Sequence, residues 1–176
     1  DGGSRETRPH PRRIAAALRS GNPRGPGATH TPVGVERRLE VGGETVLERL
    51  VVPREAPACV IEWLSRTRST EIEVAWTCDL APAFPYPTPG PLRWRKAARG
   101  VVVAGPGEER ALFAFSQAPE QLEVEDLSTA EGAAVRVRAR IRLPGRTPVR
   151  LAMAGAEGDS ALRRALAAVD RTAAVA

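Results

Sequence analysis

Five sets of side chains in this sequence have types and spacings that could do chemistry. Cys59 and Cys78 lie in two runs with strand-like alternation, 58–66 and 71–79. A hairpin centred on Arg68-Ser69 would set Cys59 opposite Cys78, Ile61 opposite Trp76 and Trp63 opposite Val74. Directly opposed Cα atoms lie about 4.5–5.5 Å apart, within disulfide reach. The other reading is two buried thiols in a reducing, cytoplasmic setting, which the compartment rule favours. A slip of one residue would undo the pairing altogether.

The second set is a row of arginines, Arg136, Arg138, Arg140 and Arg142, alternating with Val135, Val137, Ala139, Ile141 and Leu143. Such a row on one strand face could hold phosphate or an acidic partner. It could equally be a solvated face balanced by Glu71 and Glu73 or by Glu123 and Glu125 on neighbouring strands. Nucleic-acid binding also wants aromatic residues among the cations, and here the interleaved residues are aliphatic, so nucleic acid is not the expected partner. The third set is Phe84, Tyr86 and Trp94, in or beside a proline-rich loop. Prolines stiffen such a loop and lower the cost of ordering its rings on contact. The rings could stack on the apolar C–H face of a sugar, meet another domain, or cap one edge of the fold.

The last two sets are histidines and carboxylates. His10 and His30 have no metal-ligand spacing, so no metal and no cofactor is expected. No G-x-S-x-G, P-loop, G-x-G-x-x-G or H-E-x-x-H motif occurs. Carboxylates are plentiful, but Glu62, Glu71, Glu73, Glu123 and Glu125 read as outward strand positions, and no pair stands out as a general acid and base. No catalytic residue is assigned.

The elements that must position these groups are mostly strands. Val35, Leu39 and Val41 alternate with charged residues, and Gly42-Gly43 reads as a tight hairpin turn into Glu44–Val52. Further strands are expected at 58–66, 71–79, 92–97, 101–104, 110–116, 121–125, 133–143 and 148–154. About ten short strands with regular turn signals indicate an all-β chain, an antiparallel β-sandwich. The first 32 residues are rich in Gly, Pro and Arg and read as mostly irregular, with one short helix over Ile14–Leu18. The sandwich is expected over 33–155. From 156 the period changes: Asp159 or Ser160 can cap a helix with Leu162, Leu166, Val169 and Ala173 on one stripe. If the chain is one piece of a larger protein, that stripe would be exposed in isolation and would promote association.

Composition sets bounds on all of this. The 176 residues suffice for one domain with a sizeable core. Hydrophobic residues at 42% and charged residues at 27% exclude full disorder. Apolar runs are too short to span a bilayer as a helix, and the polar start, Asp1–Arg8, does not read as a signal peptide. Two cysteines cannot staple a domain of this size. The net charge of +5 is almost all arginine, with Lys96 the one lysine, and spread over the chain it argues weakly for a polyanion.

The run GVERRLEVGGETVLERLVVPREAPACVIEWLSRT resembles the N-terminal β-sandwich of bacterial glycogen-debranching-enzyme-like proteins, among the amylo-α-1,6-glucosidase and glucoamylase-like glycosidases. Asp79-Leu80-Ala81-Pro82-Ala83-Phe84-Pro85-Tyr86-Pro87 resembles that group's loop, keeping Asp-Leu and Pro-Tyr-Pro. Ala81, Ala83 and Phe84 stand where the group has arginine, methionine and tryptophan. The close, LAMAGAEGDSALRRALAAV, looks like a last sandwich strand and linker helix, so the resemblance covers about residues 33–176. It implies a supersandwich-like domain that supports an (α/α)6 catalytic barrel downstream of the linker helix. In that group the general acid and base belong to the barrel, so none is carried over onto this chain. The partners implied are that barrel and an α-glucan or oligosaccharide. Two other readings stand beside it: a stand-alone carbohydrate-binding module using Phe84, Tyr86 and Trp94, and a basic interaction protein using Arg136–Arg142.

Overall fold

Alternation of apolar and polar residues becomes, in the computed structural model, two antiparallel sheets facing each other across one core. The structure describes residues 15–17, 29–31, 34–52, 58–80, 91–107, 109–129 and 132–157, with helical positions at 160, 163 and 167. In chain order the strands are β1 (Ala15–Ala17), β2 (Thr29–Thr31), β3 (Gly34–Val41), β4 (Glu44–Val51), β5 (Ala58–Ser65) and β6 (Thr70–Cys78). They continue as β7 (Arg93–Ala97), β8 (Gly100–Ala104), β9 (Glu109–Phe115), β10 (Gln121–Asp126), β11 (Val135–Leu143) and β12 (Val149–Glu157). The small sheet has the order β1-β6-β11-β10, the large one β2-β3-β4-β5-β12-β9-β8-β7. The expected antiparallel β-sandwich is the fold.

Gly42 and Gly43 form the two-residue turn between β3 and β4, both with positive φ, 56° and 81°. That conformation matches the right-handed twist of the flanking strands. The inward residues of β11, from Val135 to Leu143, are at most 1% exposed, and so are Trp63, Val101, Val103 and Phe113 from the large sheet. Trp76 of the small sheet meets Phe113 and Phe115 of the large one, with ring centroids 5.2 and 6.0 Å apart.

Three local expectations are corrected. Runs 58–66 and 71–79 are not a hairpin: β5 pairs with β4 and β12, while β6 pairs with β1 and β11 in the other sheet. The link between them carries the chain across the core, tied by Ser65 Oγ donating to the Arg68 carbonyl at 2.7 Å and Arg146 N donating to the Ser65 carbonyl at 2.8 Å. Alternation tells which face of a strand is apolar, and strands in facing sheets share that pattern with strands in one hairpin. Cys59 therefore stands across from Met153 and Cys78 from Val135, and both are free thiols. Next, Ala15–Ala17 inside the expected helix is a strand on the edge of β6, where pairing outweighs the helix preference of alanine. Finally, β12 runs to Glu157, past the expected end at 154.

Gly100 of β8 lies with its Cα face hard against the backbone of β9. A Cβ there would lie 1.8 Å from the Phe113 carbonyl oxygen. Gly100→Ala must push the strands apart, and a loss of about 1–3 kcal/mol in chemical denaturation is expected. An unchanged midpoint would show that the approach relaxes freely.

The outer face of the large sheet is not uniformly polar. One row across it is an ion-pair ladder over four strands: Glu36 to Arg49 at 3.2 Å, Arg49 to Glu62 at 4.0 Å, and Glu62 to Arg150 at 2.7 Å. Flanking rows are apolar. Val51, Val60, Ala152 and Ala114 lie side by side in register, as do Ala58, Ala154, Leu112 and Val102, and Leu47 beside Leu64.

Candidate functional site: the β7–β10 edge and the arginine face

At one side of the sandwich the edge strands of the two sheets, β7 and β10, come together. β7 has the sequence Arg-Trp-Arg-Lys-Ala, and all its residues are exposed. Trp94 and Lys96 stand across from the inward residues Val103 and Val101, so both project to the inner side of the large sheet. Lys96 Nζ donates to the Leu122 carbonyl of β10 at 2.7 Å, which ties the two sheet edges together. Trp94, two residues along the same face, is 41% exposed. Next to Lys96 opens a groove of about 410 Å³, lined by Glu123, Val124, Glu125, Arg136 and Arg138 as well.

The arginines expected on one face of β11 are there, across from two rows of acids. Arg136 is level with Glu125 and Arg138 with Glu123 on β10; Arg140 is level with Glu73 and Arg142 with Glu71 on β6. Arg136 reaches Glu125 at 3.2 Å, Arg138 reaches it at 4.0 Å, and Arg142 bridges Glu71 at 3.2 Å and Glu120 at 2.8 Å. A face of alternating sign presents hydrogen-bond donors and acceptors at fixed positions but little net field. It suits a neutral polar ligand better than it suits a polyanion.

Phe84 and Tyr86 lie outside the described residues. Their loop leaves β6 through Leu80, whose φ of 46° is uncommon for a non-glycine residue. Leu80 packs against the core, which holds the first residue of that loop in a costly conformation. Cys59 and Cys78 are not at this edge. Burial pushes the Cys59 thiol up to about 11; burial, with a smaller push from Asp79, takes Cys78 to about 12. Neither is a ready nucleophile. Among the described residues, no three His, Cys, Asp or Glu side chains are grouped to hold a metal ion.

The sequence reading missed the Lys96 clamp. The signal was the lone lysine in an otherwise all-arginine chain, but nothing in the sequence aligns β7 with β10. It also missed a buried acid. Glu48 of β4 points inward, accepts a hydrogen bond from Trp63 Nε1 at 2.8 Å and is ion-paired with Arg37.

No protein-family profile and no curated protein matches the chain. Solved structures do. A bacterial glucoamylase complexed with acarbose superposes over 75% of this chain and 23% of its own, at a TM-score of 0.49 and 8% identity. A chain assigned as a kojibiose phosphorylase from the human microbiome superposes over 79% of this chain and 20% of its own, at a TM-score of 0.44 and 7% identity. This chain thus spans about a fifth to a quarter of either one.

Proposed function

We propose that this chain is the non-catalytic β-sandwich domain of a glycoside hydrolase acting on α-glucans or related oligosaccharides, and that it packs against a catalytic (α/α)6 barrel of the same protein. One observation carries the reading. The family-like run, residues 34–67, is a continuous meander of adjacent strands, β3-β4-β5, so the resemblance falls on one contiguous part of the large sheet. Reading the coding sequence downstream of Ala176 tests the proposal. A continuing frame with a helix-rich region of several hundred residues and paired carboxylates is the expected result; a stop codon there would overturn it.

The exposed Trp94, two residues along β7 from the groove-lining Lys96, favours a second reading, a sugar-binding module. A linear α-glucan oligosaccharide would then quench the tryptophan fluorescence, and Trp94→Ala would abolish the change. Trp63 and Trp76 are 1% and 3% exposed and would contribute no sugar-dependent signal. Quenching that survives Trp94→Ala would remove this reading.

A further inference from the structure

The two end strands at the β7–β10 side carry opposite charge. β7 holds Arg93, Arg95 and Lys96, and β10 holds Glu123, Glu125 and Asp126. Arg93 and Arg95 are exposed and make no ion pair with any described residue. Glu123 is exposed and makes none either; its carboxylate accepts a hydrogen bond from Gln121 Nε2 at 2.6 Å. Among the described strands each is paired on one side only, β7 with β8 and β10 with β11. Each therefore leaves a row of backbone N–H and C=O groups open. A lysine often guards such an edge, but Lys96 points to the inner side and is held by the Leu122 carbonyl of its own chain.

We infer that these edges join two copies of the chain: β7 of each subunit adds to β10 of the other, so that the large sheet of one continues into the small sheet of its partner. Strand direction fits this. Neighbours alternate in direction along β5-β12-β9-β8-β7 and along β6-β11-β10, so β7 runs with β5 and β10 runs with β6. The bend at 66–69 reverses the chain between β5 and β6, so β7 and β10 run in opposite directions at the same side of the sandwich. A two-fold axis between the sheets, parallel to the strands, exchanges the two layers and keeps every strand direction. It sets β7 antiparallel to β10 of the partner subunit, and both such pairings form at once, a closed and self-complementary contact. The side chains fit as well. Arg93 and Arg95 point outward on β7, and Glu123 and Glu125 point outward on β10. One antiparallel register sets Arg93 across from Glu125 of the partner subunit and Arg95 across from Glu123 of the partner subunit. The same register lays the exposed ring of Trp94 beside Val124 of the partner subunit. Opposite charges directly across a ladder stabilise it, and like charges there destabilise it. Pairing of β7 with β7 would set cations against cations, and pairing of β10 with β10 would set acids against acids. The inference is independent of the glycosidase reading, and Trp94 would meet a sugar only in the separated subunits.

A charge swap tests it by sedimentation velocity over a concentration series. The unaltered chain is expected to form a reversible dimer that weakens as salt is added. Arg95→Glu alone and Glu123→Arg alone are each expected to weaken it about tenfold or more, because each places like charges across both ladders. Neither residue has an ion pair within its own chain to lose, and circular dichroism of each variant should match that of the unaltered chain. An equal mixture of the two variants is expected to recover the dimer, because opposite charges then meet at both contacts. A chain that stays monomeric at every concentration would overturn the proposal. So would a dimer indifferent to both substitutions, which would place the contact elsewhere. A dimer weakened by Arg95→Glu but not by Glu123→Arg, or a mixture that stays monomeric, would overturn it too, leaving β7 to a different acidic partner. Hydrogen exchange gives a second readout: amides of 93–97 and 121–126 are expected to slow as concentration rises, and those of 36–40 to keep their rates. Slowing confined to other strands would count against the pairing.

Discussion

Glu48→Ala is expected to cost the sandwich about 3 kcal/mol, the upper end of the range for leaving a buried hydrogen-bonding group without its partner. The Glu48 side chain is 9% exposed and serves two donors, the indole N–H of Trp63 and the guanidinium of Arg37. Arg37 is 39% exposed and can turn to water when its partner is lost. Trp63 is 1% exposed and has no such escape, so its N–H would be left buried without an acceptor. Glu48→Gln keeps an acceptor oxygen for Trp63 and is expected to cost much less, about 1 kcal/mol. Urea midpoints at neutral pH separate the two. Equal losses would mean that the charge, and not the hydrogen bond to Trp63, is what Glu48 contributes. Trp76 gives a useful contrast, because its buried Nε1 has no hydrogen-bond partner.

Alkaline pH should weaken the fold through its two cysteines. Both thiols have a reference value of 9.0 when unburied and are held at about 11 and about 12 in the folded chain. The unfolded chain therefore releases these protons first as pH rises. Their contribution is complete below about pH 9 and is lost progressively as pH climbs through the folded values. At about 1.4 kcal/mol per unit of displacement, the two together amount to several kcal/mol. The comparison that isolates the thiols is with a Cys59→Ala, Cys78→Ala chain. Its stability should fall less steeply between pH 9 and 12; an identical slope would clear the thiols of any part.

Much of the fold was legible from periodicity. The alternation in 133–143 marks β11 because a strand buried on one face must repeat every two residues, and Gly42-Gly43 marks a turn because two successive positive φ angles favour glycine. Which strands pair was not legible. The 58–66 and 71–79 runs carry one pattern whether they share a sheet or face each other, and the choice is made by the bend at 66–69 and by Arg146 reaching back to Ser65. Ala15–Ala17 has no pattern at all, so only the open edge of β6 makes it a strand. At the β7–β10 edge the same limit applies. The arginine row and the glutamates were visible as outward residues, and Trp94 as an unburied ring, but the groove exists only because β7 and β10 end two different sheets at the same side. Glu48 went unnoticed because an acid on an inward position breaks the alternation on which the reading depends.

The position of the last two strands has a consequence for how the protein is made. β11 joins β6 to β10, and β12 joins β5 to β9, so each sheet is completed from its middle by a strand near the end of the described chain. During synthesis, β2–β5 and β7–β9 emerge as two separate ribbons, and the edges of β5 and β9 that will later be hidden stay open until residue 157 has left the ribosome. Open strand edges invite pairing with other chains, and contacts this distant in sequence form slowly. The vulnerable interval is therefore the one just before translation of β12 ends. Slow decoding before that point would prolong it, and a chaperone that shields β5 and β9 would shorten its cost in aggregated chains.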